Sequence, residues 1–448
     1  RGWSYGQVIA DPRTGEIVRG SVLLGSLRVR QDMMIFEGLV GADKAGTGGP
    51  NDPVQAALAR LRQLAAHEVG HALGLVHNFA ASTQDRASVM DYPAPRIGLA
   101  DGKPDLSDAY GVGLGAWDRF AVDWAYGDNA SASAKADAMV ASGMRFVSDG
   151  DARSSGSGQP WGSLWDDGAD PVAELNRMMA VRRAALANFG PAALHPGEPL
   201  ANLRRKFVPI WLLHRYQTEA AAKLIGGVDY GYAVAGDANK PALPVAADRQ
   251  RAALTAVAAT LDPAVLTVRP DLIPALSQAS SGNDDRQYEI EVMATAGGPV
   301  FDPLVAADTA ATFTLGLLLH PQRLARLQLQ HGADPAQPGV EAVFDLIDRS
   351  VANRASPAGR RIAYRAILSL AELSLGRGDP EIAALAGARL QRIAAGLTSA
   401  PGAWERGVGA LISDRDRLEE EVKRAAQTPP VPPGMPIGGA STEGWVDG

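Results

Sequence analysis

Cysteine is absent from the 448-residue sequence. That excludes disulfides, zinc–thiolate sites and a cysteine nucleophile, so any metal must be held by histidine and carboxylate groups. The absence does not choose between a cytoplasm and an extracytoplasmic space. A basic excess is also lacking: 43 Lys and Arg face 50 Asp and Glu, for a net charge of −7. Binders of nucleic acid and of anionic membranes carry the opposite imbalance. No run of about 18 apolar residues occurs, so no transmembrane helix is expected. The chain opens Arg1-Gly2-Trp3 with neither an initiator methionine nor a signal peptide, and a fragment of a longer precursor is expected. What remains has the composition of a soluble globular protein, 46% hydrophobic and 21% charged, with length enough for two or three domains.

Patterning then divides the chain. Tyr5–Ala10 and Glu16–Arg30 are rich in Val, Ile and Leu, and Asp11-Pro12-Arg13-Thr14-Gly15 between them has the composition of a turn. A β-hairpin is predicted, followed by a Gly-rich loop from Gly41 to Pro50. Asn51-Asp52-Pro53 reads as a helix start, with Asp52 as cap and Pro53 at the first helical position. Val54, Ala57, Leu58, Leu61, Leu64 and Ala65 recur at helical spacing and predict its apolar face, with the helix running to about Leu73. Gly74 can then take the left-handed conformation that ends a helix. Residues 88–102 are turn-rich, and Trp117–Tyr126 reads as a short amphipathic helix. Residues 148–170 are polar and Gly/Ser-rich, with Asp149, Asp151, Asp166, Asp167 and Asp170. Beyond them, helices are predicted over Glu174–Ala187, Pro209–Leu224, Arg249–Leu261, Ala306–Leu319, Val340–Asn353 and Ala363–Leu375. Residues 428–448, rich in Pro and Gly, read as a disordered tail.

The chemistry concentrates in His67-Glu68-Val69-Gly70-His71-Ala72-Leu73-Gly74-Leu75-Val76-His77. On a helix, His67 and His71 project from one face with Cβ atoms roughly 5–6 Å apart. That spacing suits two imidazoles on one Zn2+ at about 2.0–2.1 Å each. Glu68 sits beside the metal rather than on it, where it can take a proton from an activated water. Gly74 lets the chain turn back so that His77 returns as a third ligand. Three protein ligands leave an open position, the mark of a catalytic zinc. With 7 His and 49 Gly in the chain, a chance match is on the order of one in a hundred thousand chains.

This segment resembles the metzincin signature: two zinc-binding His and a Glu on one helix, a Gly turn and a third His. Ser88-Val89-Met90-Asp91-Tyr92 falls where that clan has its Met-turn, and the resemblance implies that Met90 floors the three imidazoles. In the astacin-like and serralysin-like branches a Tyr at the offset of Tyr92 approaches the zinc. The resemblance therefore implies that Tyr92 joins Glu68 as a catalytic residue and stabilises the tetrahedral intermediate. His77-Asn78-Phe79, the short gap to Met90 and the later His214-Arg215-Tyr216 and Leu224-Ile225-Gly226-Gly227 resemble a bacterial family of large zinc-dependent metalloproteases. In that family a metzincin core precedes a long helical region. The resemblance covers most of the chain. It implies a zinc endopeptidase that acts on a protein or peptide substrate and is periplasmic or secreted. Only 66 residues precede His67, and a metzincin core has more sheet before its zinc helix, so N-terminal truncation is expected. Metzincins pair extended substrate with an edge strand. Glu16–Leu27 is the candidate, with an ordinary core strand as the equal alternative.

The expected fold class is α+β. A metzincin-like core spans 1–130, a loop-rich connection near the cleft 131–170, and a helical domain 171–427. Two functions of other kinds stay open: an inactive zinc-bound homologue serving as a scaffold, and a zinc hydrolase of a non-protein amide. Elsewhere, His195, His214, His320 and His331 lack metal spacing and read as structural or surface residues. The aspartates from 149 to 170 read as solvated loop carboxylates, with a Ca2+ site as the alternative. Asp118 and Asp123 read as helix-surface or capping groups, and Met33, Met34, Met178 and Met179 as core filler. Arg204-Arg205-Lys206 reads as a solvated helix face.

Overall fold

The N-terminal hairpin forms as its turn composition requires: β1 (Tyr5–Ala10) pairs antiparallel with β2 (Ile17–Leu23). The computed structural model describes residues 4–236, 241–279, 292, 293, 300–376 and 378–426. The tail expected over 428–448 lies outside the described residues. β2 stops well short of Arg30, because Ser26–Val40 is a helix, α1. The strand reading failed there for a physical reason. α1 is enclosed on most sides, and its buried set includes Gln31, Asp32 and Glu37 beside Met34, Ile35 and Phe36. A helix buried around its girth has no clean 3.6-residue apolar period.

The helix α2 (Pro53–Ala72) starts as expected, with the Asp52 carboxylate accepting from Val54 N at 2.8 Å. Asp52 also accepts from Gly46 N and Gly48 N, tying down the Gly-rich loop. The predicted apolar face needs correcting. Leu58 is exposed, and the buried stripe runs through Ala56, Ala57, Arg60, Leu64, His67 and Glu68. His67 therefore continues the face that packs on the core. The hairpin lies across the C-terminal part of this helix. Gly6 and Gly20 make the contact, since a Cβ at Gly6 would overlap the Glu68 carbonyl and one at Gly20 would crowd that of Ala72.

Among the described residues the remaining strands form two short hairpins, Gly98–Ala100 with Lys103–Asp105 and Val228–Asp229 with Leu243–Pro244. Helices α3 (Ala116–Tyr126) and α4 (Ala132–Ala141) are followed by a single turn, α5 (Asp149–Ala152), and by α6 (Pro171–Asn188). The expected helix Pro209–Leu224 is instead two: α7 (Leu203–Trp211) and α8 (Arg215–Lys223). Between them Leu212–His214 tighten into turns with Leu213 N bonded to Ile210 O and Arg215 N to Leu212 O. Asp or Ser before Pro opens α2, α6 and the helices Pro303–Leu318, Pro357–Leu375 and Pro380–Thr398. In each the capping oxygen accepts from a first-turn N–H while Pro fills a position that needs no donor.

The basic run on α7 is not a solvated face. Lys206 is buried, and its Nζ donates to Glu37 of α1 and to the Ala193 carbonyl, both at 2.7 Å. One buried apolar cluster includes Ile35 of α1, Ala57 of α2, Leu175 of α6, Trp211 of α7 and Leu418 near the end of the described chain. Met34 and Met178 lie in the core, with Met33 and Met179 packed against it. The family found below and this distribution of elements make the fold α+β with a predominantly helical C-terminal region. Among the described residues no single helix is long and apolar enough to cross a membrane.

Candidate metal centre

His67 and His71 lie one turn apart on α2, and the end of that helix decides where the chain goes next. Gly74 has φ of +83°. Leu75 N bonds to Gly70 O at 3.0 Å and Gly74 N to His71 O at 2.9 Å, which is the Schellman closure. This closure has a chemical by-product: it swings the Leu75 carbonyl over His71, where it accepts from Nδ1 at 2.9 Å. It also returns the chain so that the His77 ring meets the other two. His71 Nε2 lies 3.1 Å from both His67 Nε2 and His77 Nε2.

Each Nδ1 is committed elsewhere. His67 Nδ1 donates to the Val89 carbonyl at 2.7 Å, and His77 Nδ1 to Asp149 at 2.9 and 3.1 Å from its two oxygens. With the protons on Nδ1, the three Nε2 atoms present lone pairs to one point. Mutually repelling lone pairs at this range fit a cation between them, since tetrahedral bonds of about 2.05 Å put neighbouring nitrogens ~3.3 Å apart. Burial pushes the His67 pKa well below its usual value, and the neighbouring imidazoles push the same way; burial also lowers His71. His67 and His71 are thus favoured in the neutral form, the one a metal needs. Among the described residues, these three form the group of His, Asp or Glu side chains able to hold a metal ion.

The Met-turn is built as a clamp. Asp118, in the first turn of α3, accepts from Val89 N at 2.9 Å, from Ser88 Oγ at 2.5 Å and from Gly115 N at 2.8 Å. It is buried, so of the surface and capping readings only capping holds. The clamped turn presents the Val89 carbonyl to His67. It also lays Met90, 1% exposed, against Gly70 so closely that a Cβ there would overlap the sulfur. The middle Gly of His-Glu-Val-Gly-His is explained by that contact.

Glu68 is buried beside the three rings. Burial raises its pKa, and the Gly6 N–H, which hydrogen-bonds its carboxylate from β1, works against that rise. Tyr92 packs on the histidines, with ring centres 5.3 Å from His67 and 4.8 Å from His77. Its other face stacks on Trp165 at 5.0 Å. Trp165 N donates to Tyr92 O at 2.8 Å, and Trp165 holds φ of +62°, a strained conformation for a bulky residue. Burial raises the Tyr92 pKa, and the Arg153 guanidinium over its ring works against that rise.

The aspartates expected to be solvated are engaged instead, each by a different partner. Asp149 takes His77 and Arg153, Asp151 takes Tyr230 and Tyr232, and Asp166 is buried on Ser82 Oγ. Asp167 pairs with Arg96, and Asp170 caps α6. Burial works to raise the Asp149 pKa, but His77 and Arg153 outweigh it and lower it to about 2. His214 is buried, whereas His195 is half-exposed and pairs with Glu37. None of His195, His214, His320 and His331 joins the cluster. Sequence reading missed Asp149, Arg153 and Asp118 as parts of this centre. Asp149 lies 72 residues from His77, and only its i,i+4 spacing to Arg153 hinted at a pair.

Three imidazoles converging from a helix and its return loop, floored by a methionine, define a single-metal centre. The chain belongs to the Met-zincin family, whose model matches residues 49–359. No curated protein and no solved structure matches it.

Proposed function

We propose that the chain is a zinc-dependent endopeptidase, with His67, His71 and His77 as ligands and Glu68 as the general base. The observation that carries this reading is the convergence of three Nε2 atoms 3.1 Å from neighbour to neighbour, with a buried carboxylate beside them. Zn2+ held there would supply Lewis acidity, acidifying water and polarising a carbonyl. Glu68 takes the proton of the attacking water and delivers it to the leaving amine nitrogen as the C–N bond breaks. Its raised pKa suits a group that must both accept and return a proton. The Tyr92 hydroxyl donates to the oxygen that becomes negative in the tetrahedral intermediate.

The substrate is an extended peptide. β1 and β2 are largely exposed along their length, which argues against the core-strand reading, and β1 reaches the Glu68 carboxylate at Gly6. A peptide added to this hairpin would lie along the metal centre. By family likeness the protein works outside the cytoplasm.

The test is cleavage of a peptide library, read by mass spectrometry, by the zinc-loaded protein and by Glu68→Ala. Cleavage should stop with a chelator, return with Zn2+ and fall about 10²- to 10⁴-fold in the variant. One observation favours a zinc-bound but inactive homologue: the β1 backbone at Gly6 packs tightly against Glu68, the residue that would have to act as base. Zinc-loaded, folded protein that cleaves nothing in the library would establish that second reading.

A further inference from the structure

The single turn α5 has no means of standing alone, because one helical turn is far below the length at which helices are stable in water. Bonds from outside hold it. On its inner side, Asp149 accepts from His77 Nδ1, and Arg153, four residues on, donates its Nε to Asp149 at 2.6 Å. The same guanidinium lies over the Tyr92 ring, 5.5 Å from its centre. Two residues of one turn therefore reach the third histidine and the tyrosine.

On its outer side, a set of polar side chains from beyond residue 200 grips α5 and the loop after it. Tyr232 Oη accepts from Ser148 N at 2.9 Å and donates to Asp151 at 2.6 Å, while Tyr230 donates to the other oxygen of Asp151. Lys223, fully buried at the end of α8, donates to the Ala152 carbonyl. Arg323 and Arg326, on the helix Pro321–Ala333, donate to the Ser155 and Gly156 carbonyls at 2.7 and 2.8 Å. These last two bonds fix the loop that leaves α5.

We propose that α5 is the positioning element of the metal centre. Asp149 sets the tautomer and orientation of His77, Arg153 sets Tyr92, and the helical region holds α5 in place through Tyr230, Tyr232, Lys223, Arg323 and Arg326. The helical region is then part of the metal site. The inference rests on the metal reading of the three histidines and not on peptide cleavage.

The experiment measures Zn2+ affinity by chelator competition and the visible spectrum of the Co2+-loaded protein, with no peptide present. Asp149→Ala should weaken Zn2+ binding about 10- to 100-fold and shift the Co2+ bands. Asp149→Asn, which keeps an oxygen to accept from Nδ1, should fall between alanine and wild type. Tyr232→Phe keeps the ring and loses the bonds to Ser148 and Asp151. It should weaken binding on the order of fivefold, the worth of about one hydrogen bond, with helical circular dichroism unchanged. Should Asp149→Ala fail to fold, Tyr232→Phe decides alone. Zinc affinity within about twofold of wild type in a folded variant, with unshifted Co2+ bands, overturns the proposal. A chain that shows the expected order of affinities and still cleaves nothing sinks the peptidase reading and leaves this one standing.

Discussion

At the scale of the residue, the centre is a set of side chains with no freedom left. Each imidazole is fixed at Nδ1, and Tyr92 is held between the histidines and Trp165. Tyr92→Phe keeps this packing and removes only the hydroxyl. Turnover should drop about tenfold or more while zinc content, measured by atomic absorption, stays at one per chain. Unchanged turnover would remove Tyr92 from the chemistry. Gly70 is fixed by a different constraint. Gly70→Ala sets a methyl group against the Met90 sulfur, and relief requires the Met-turn floor to move. The expected cost is about 1–3 kcal/mol in urea unfolding, the usual range for overpacking. Paired with Met90→Ala, which by itself costs about 2–5 kcal/mol as a cavity, the combined loss should be less than the sum of the two, because the second change removes the obstructing sulfur.

At the scale of the element, α1 and α2 are joined by a buried polar layer as well as by apolar contacts. Asp32 on α1 is buried near Arg28 and Arg60, and burial raises its pKa to about 6. The sign follows from linkage. A carboxyl whose folded pKa lies above its unfolded value of 3.8 contributes stability in full below that value, and the contribution is lost as pH rises through about 6. Asp32→Asn should therefore gain on wild type as pH rises from about 4 to 6 and hold a constant difference above that. Urea unfolding at several pH values checks this, and a difference that ignores pH would mean Asp32 ionises as freely folded as unfolded. The same layer explains what the sequence left illegible. α2 was readable because Asp52-Pro53 caps it, Gly74 ends it and two histidines mark its face. α1 was not, because Gln31, Asp32 and Glu37 find partners only after α2 and α7 have packed against them. The aspartates of 148–170 were misread as solvated for the same reason. Their partners, His77, Arg96, Tyr230 and Tyr232, stand from 71 to 81 residues away in sequence and carry no local signature. The Nδ1 acceptors Val89 and Leu75 are backbone carbonyls, which any residue type would supply.

At the scale of the whole molecule, the question is whether the metal centre and the helices fold as one. Buried apolar side chains form one cluster that includes α1, α2, α6, α7 and the helices up to Leu418. A smaller group, Phe79, Ala80, Val147 and Ala152, packs with Tyr92 beside the metal site. Polar bonds cross the same divide, from Lys206 to Glu37 and from Lys223 to Ala152. Calorimetry should then record one unfolding transition, with calorimetric and van't Hoff enthalpies in agreement. The three histidines come together only in the folded chain, so if they hold zinc a chelator should shift that transition downward as a unit. The loss is about 4 kcal/mol where free Zn2+ had stood ~1,000-fold above its dissociation constant. Were the segments 1–130 and 171–427 separate folding units, the chelator would lower one transition and leave a second where it was. A split of that kind would break the shared core into two. A single shifted transition would mean that losing the metal is felt as far away as the C-terminal helices.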